Sequence, residues 1–175
     1  MKRTLILASI LAVALGASAC GNDNPSDPSS TLNPRFTAIL LPSNETPPIL
    51  TGPDAGTGGN AIVTLHLTKD GAGTITAATA DFQVTLTGFT GSTITNAHIH
   101  QGAAGVSGGI VIPSGITSTE VVLTNGAGGF TKTGLTGFTV DVAQAIVSNP
   151  AGFYFNVHSS VNGGGAVRGQ LVAQP

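Results

Sequence analysis

Charge is what this sequence is poorest in. Asp, Glu, Lys and Arg make up 8% of its 175 residues, against about 25% in ordinary soluble domains. No basic patch is present, so nucleic acid is not an expected partner. Cys20 is the only cysteine, which leaves no disulfide and no thiolate metal site within the chain. No apolar run reaches the about 20 residues of a membrane-spanning helix; the run Leu5 to Leu15 falls short. Many Ser and Thr are present, but none sits in a nucleophile–base motif of known catalytic type. Low charge alone does not mark disorder, which goes with low hydrophobicity. Here 41% of residues are hydrophobic.

What is abundant is glycine, with 25 residues, and threonine, with 23. Hydroxyls take the place of charges on such a surface, a common habit of secreted β-proteins. The beginning of the chain has the layout of an export signal. Lys2 and Arg3 precede the apolar run, and Gly16-Ala17-Ser18-Ala19 supplies small residues before Cys20. The segment "GASAC" resembles the lipobox of bacterial lipoproteins, with Ala17 in place of the usual Leu. That resemblance implies a signal peptide over 1–19 and lipidation of Cys20, which would anchor the chain in a membrane. The other reading is a secreted protein cut just before Cys20. Either cut leaves 156 residues with four cationic and eight acidic side chains, a net charge of −4. Residues 20–34 are polar and rich in Pro, Ser and Asp, and read as a flexible tether. A single domain is expected over 35–175.

Most of that domain shows a period of two, the mark of half-buried strands. "FTAILL" sets Phe36, Ala38 and Leu40 on one face. "AIVTLHL" does the same with Ala61, Val63, Leu65 and Leu67, and "DFQVTLTGF" with Phe82, Val84 and Leu86. "ITNAHIH", "GIVIP", "TEVVLT", "GFTKTG", "GFYFNVHS" and "AVRGQLVA" continue the series. Gly, Asn, Pro and Ser separate these runs, which suggests an all-β, antiparallel sandwich or barrel. One helix is expected near 139–149. Thr139 would cap it, Val140, Ala143, Ile146 and Val147 would form its apolar stripe, and Asn149-Pro150 would stop it.

Three of the four histidines fall on two of these strands. Side chains two apart on a strand share a face, so Asn96, His98 and His100 point together while Ala97 and Ile99 point into the core. In "GFYFNVHS", Phe153, Phe155 and Val157 face the core, and Tyr154, Asn156 and His158 face away. In "AVRGQLV", Arg168 and Gln170 face away. If the three strands are neighbours, His98, His100, His158 and Arg168 form one cluster, the imidazoles within about 10 Å of one another. His66 lies on another strand and reads as isolated, exposed or half-buried.

These segments resemble the CHRD (chordin-type) domain family. "FTAILLPSNETPP", "AHIHQGAAGVSGGIVI" and "GFYFNVHSSVNGGGAVRGQL" follow its three signature segments in order. Glu45, Pro47, Pro48, His98, Ile99, His100, Asn156, His158, Arg168, Gly169, Gln170 and Leu171 match the pattern. Three departures occur: Gln101 precedes Gly102, Gly165-Ala166 replaces the usual Gly-Glu, and the aromatic pattern at Phe153-Tyr154-Phe155 is slightly shifted. The resemblance implies a β-sandwich, immunoglobulin-like in outline, and no settled activity.

Two readings of the cluster stand. His98, His100 and His158 form a hydrogen-bonded structural brace, or they hold copper or zinc, since three imidazoles plus an open position is a recognised site type. Glu45, Asn156 and Arg168 are expected around them, with Arg168 either paired to Glu45 at the rim or binding an anion. The His-x-His strand is also similar to the copper strand of copper–zinc superoxide dismutase. The similarity covers a few residues only, and neither that enzyme's disulfide nor its zinc loop is present. "QGAAGVSGG" lacks the Gly-Lys-Ser/Thr ending of a phosphate loop and reads as a turn. The expectation is a non-enzymatic lipoprotein of the bacterial cell envelope, facing the periplasm or the exterior. Its CHRD module would bind a protein or extracellular ligand or serve a structural role; the alternative is a copper- or zinc-binding envelope protein.

Overall fold

A computed structural model describes residues 30–175. The expected signal peptide, Cys20 and most of the expected tether lie outside them. In chain order the strands are β1 (Ser30–Leu32), β2 (Arg35–Leu40), β3 (Gly58–Lys69), β4 (Ile75–Thr87), β5 (Ile94–Gln101), β6 (Ile110–Pro113), β7 (Gly128–Leu135), β8 (Phe153–Ser159), β9 (Val167–Gln170) and β10 (Val172–Ala173). One helix, α1 (Val140–Ser148), precedes β8. The strands form two antiparallel sheets. The first runs β10-β2-β3-β4-β7, with β1 also paired to β3; the second runs β6-β5-β8-β9. Neither sheet closes on itself, so the architecture is a sandwich and the barrel alternative falls.

Alternation places the core. Phe36, Ala38 and Leu40 on β2, Ala61, Val63, Leu65 and Leu67 on β3, and Phe82, Val84 and Leu86 on β4 are all buried. Ala97 and Ile99 on β5, with Phe155 and Val157 on β8, line the facing sheet. Phe82 and Phe155 meet edge-on across the sandwich, ring centroids 5.1 Å apart, a geometry that aromatic quadrupoles favour.

The two sheets join at a corner. The chain passes from β9 in one sheet to β10 in the other, and Leu41, just after β2, bridges Arg168 of β9. Gly169 permits this close crossing, because a Cβ there would collide with the Ile39 carbonyl. The 3-10 turn at Pro42–Asn44 follows the crossing and delivers Glu45 to the outer face of the second sheet.

Thr139 caps α1 by accepting a hydrogen bond from the Val142 N–H, and the helix ends before Asn149-Pro150, as the sequence suggests. Three details depart from expectation. Ser30–Leu32 is paired to Leu67–Lys69, so the sheet begins inside the segment read as tether; an exposed strand bound through its backbone needs no apolar pattern. "TEVVLT" (119–124) is not a strand. Glu120 closes a turn on Thr117 through both backbone and side chain, and only Thr124 forms an isolated bridge, to Ala127. The alternation instead reflects Val121 and Leu123 packing against the core from a loop. Val147 is left out of the buried helix stripe and lines a surface cleft with Leu32 and Ile75.

Candidate metal centre

Strands β5, β8 and β9 are direct neighbours, so the side chains on their outer face form rows. His98 lies opposite Asn156, and Asn156 opposite Arg168; His100 lies opposite Tyr154, and Tyr154 opposite Gln170; His158 lies opposite Asn96. His98 and His158 are therefore diagonal neighbours. Their ring centroids are 4.5 Å apart, those of His98 and His100 4.6 Å, and those of His100 and His158 6.4 Å. One ring nitrogen from each of the three lies within 4.8 Å of the others. The expected cluster is present.

The hydrogen bonds fix which nitrogens face inward. His100 Nδ1 donates to the Gly108 carbonyl at 2.7 Å, and His158 Nδ1 to the Gly163 carbonyl at 2.9 Å. A carbonyl only accepts, so in both neutral rings Nδ1 carries the hydrogen and Nε2 keeps a bare lone pair. His98 Nε2 lies 2.7 Å from His158 Nε2 and donates to it. Burial pushes His98 down to about 3, with His158 and His100 adding to the shift. His100 and His158 are also held below the ordinary imidazole value, chiefly by burial, although their bonds to Gly108 and Gly163 pull the other way. Three neutral imidazoles thus converge on one point, 3% of His98 remaining exposed.

Loops supply what the strands do not. The 102–109 turn folds over β5 so that Gly108 accepts from His100 and donates to the Tyr154 hydroxyl. Tyr154 stacks on His100, centroids 4.8 Å apart and nearly parallel. The β8–β9 hairpin loop brings Gly163 to His158. Gly165 in that loop has φ +137°, and a Cβ there would press within 2.9 Å of both Glu45 carboxylate oxygens and the Asn156 amide nitrogen.

The expected Glu45–Arg168 ion pair is not formed. Asn156, opposite Arg168 in register, donates instead to Glu45 Oε1 at 2.8 Å. Arg168 turns along Tyr154, its guanidinium 4.1 Å above the ring, and Nη1 donates to the Val106 carbonyl. It is buried rather than at the rim, at 2% exposed, and Nη2 has no partner; Asn156 Oδ1 is likewise unpaired. Burial raises Glu45 to about 7, against the opposing pull of Arg168 and the hydrogen bond from Asn156.

His66 stays outside the cluster, between Asp81 at 2.8 Å and Asn33 at 2.7 Å. Sequence reading put Tyr154 on the right face but gave it no role; strand parity was the only signal. It passed over Asp54 entirely. This carboxylate is fully buried and accepts from Ser92, Ser159 and Asn162. As one Asp in a Gly- and Pro-containing loop, it carried no sequence mark.

Fold and site together define a two-sheet β-sandwich with a polar, histidine-bearing outer face. The CHRD domain model matches residues 36–171, and the chain belongs to the CHRD family. No curated protein and no solved structure matches it.

Proposed function

We propose that this chain is a non-enzymatic module of a bacterial cell envelope, lipid-anchored through Cys20, and that His98, His100 and His158 together hold one copper or zinc ion. One observation carries the metal reading. The three ring nitrogens converge, and the outward Nδ1 groups of His100 and His158 are tied to backbone carbonyls. Metal-bound histidines are oriented in this way, with the second nitrogen donating to a carbonyl or carboxylate. Ligation needs His98 to move its proton from Nε2 to Nδ1. It also needs the 2.7 Å gap to His158 to open to about 3.3 Å, the separation of two nitrogens at tetrahedral bond lengths of about 2.0–2.1 Å.

The non-enzymatic part is supported by what surrounds the rings. Among the described residues, no hydroxyl hydrogen-bonds to a ring nitrogen of the three, so no nucleophile–base pair is assembled. The metal would be stored or buffered rather than used in turnover. The "GASAC" motif and the hydroxyl-rich, charge-poor surface support the envelope assignment.

The competing reading is a structural brace in which His98 and His158 share only a hydrogen bond. Equilibrium dialysis of the chelator-free protein against copper and zinc at pH 7.5 separates the two. The metal reading expects about one ion per chain, lost in both His98→Ala and His100→Ala. Binding at background level in the wild type leaves the brace.

A further inference from the structure

We infer that the three-histidine site selects a monovalent cuprous ion over divalent ions, a preference that rests on the metal reading above. The ligand set has no charge of its own. Among the described residues, no Asp, Glu or Cys joins the three imidazoles. Glu45 is the carboxylate held behind Asn156, with Oε1 occupied by that amide. The fixed charge beside the rings is a cation. Arg168 is a buried guanidinium and reaches the cluster through Tyr154, 4.1 Å from the centroid of that ring, which in turn lies 4.8 Å from the centroid of His100.

A divalent ion would bring two positive charges to a partly buried cluster that has no carboxylate ligand and already has a guanidinium beside it. A cuprous ion brings one. At such separations and an effective dielectric near 20, each further unit of charge costs on the order of tenfold in affinity. Coordination number is a lesser difference: three nitrogen donors complete a trigonal cuprous centre, whereas zinc takes a water as its fourth ligand. The selection is thus chiefly by charge, not by ligand softness, since no sulfur donor is present.

The experiment is a competition titration of the full chain, carried out anaerobically for copper(I) and in parallel for zinc(II). Wild type, Arg168→Gln and Arg168→Lys are compared. The wild type should bind copper(I) at least tenfold more tightly than zinc(II). Arg168→Gln should shift the copper-to-zinc affinity ratio toward zinc by about tenfold, and Arg168→Lys, which keeps the charge, should leave the ratio near the wild-type value. Zinc binding as tight as copper(I), or Gln and Lys variants with the same ratio, would overturn the preference while the metal site stands. Binding of neither ion would overturn the metal reading as well. If Arg168→Gln does not fold, the wild-type ratio and the Lys variant still decide.

Discussion

Glu45 shows how one residue's environment sets its chemistry. Its carboxyl is raised from 4.5 to about 7, with burial the dominant cause. A group whose folded value lies above its unfolded value stabilises the fold when protonated, so this contribution is complete below pH 4.5 and is lost as pH rises through 7. Glu45→Gln keeps an acceptor for Asn156 and removes the titration. It should therefore raise stability at pH 8 by about 3 kcal/mol and change it little at pH 4. Urea denaturation of both proteins across that range gives the difference; equal profiles would show that Glu45 is not strained by burial. At this scale strand parity was legible, because a period of two leaves no choice of face: it placed His98, His100, Asn156 and His158 correctly. Which neighbour Glu45 would take was not legible. It depends on the path of the loop after Pro42, and that path brings the carboxylate to Asn156 rather than Arg168.

Elements reach their places through loops that are themselves pinned. Asp54 ties its own loop to Ser92 before β5 and to Ser159 and Asn162 at the end of β8. Burial alone would raise its carboxyl, but those three hydrogen bonds outweigh it and hold the group below the ordinary value. Its contribution is present above pH 3.8 and fades as pH falls through the lowered value. Asp54→Ala leaves three donors unpaired and should cost about 2–3 kcal/mol at pH 7, measured by chemical denaturation, with a smaller penalty in acid. A loss under 0.5 kcal/mol would mean the network is dispensable. The long strands β3 and β4 were legible because their apolar residues alternate over many positions. The segments that failed were short. The alternation in 119–124 came from loop packing, and Ser30–Leu32 has none because its pairing is purely backbone.

The molecule as a whole is a sandwich whose inner faces supply stability and whose second sheet carries the histidine cluster on its outer face. Legibility followed that division: the hydrophobic faces are periodic and were readable, while the carbonyls of Gly108 and Gly163 that aim the histidines come from aperiodic glycine loops. Attachment also belongs to this scale. Cys20→Ser should move the protein from the membrane fraction to the soluble envelope fraction, and the wild type should incorporate labelled fatty acid. A variant that remains in the membrane, or a wild type that is never labelled, removes the lipoprotein assignment. The central claim is that three imidazoles share one metal ion. X-ray absorption of the copper-loaded full chain tests it most directly. The account predicts three imidazole nitrogens at about 2.0 Å, with that signature lost in His98→Ala; a spectrum without imidazole scattering, or one unchanged in the variant, would contradict it.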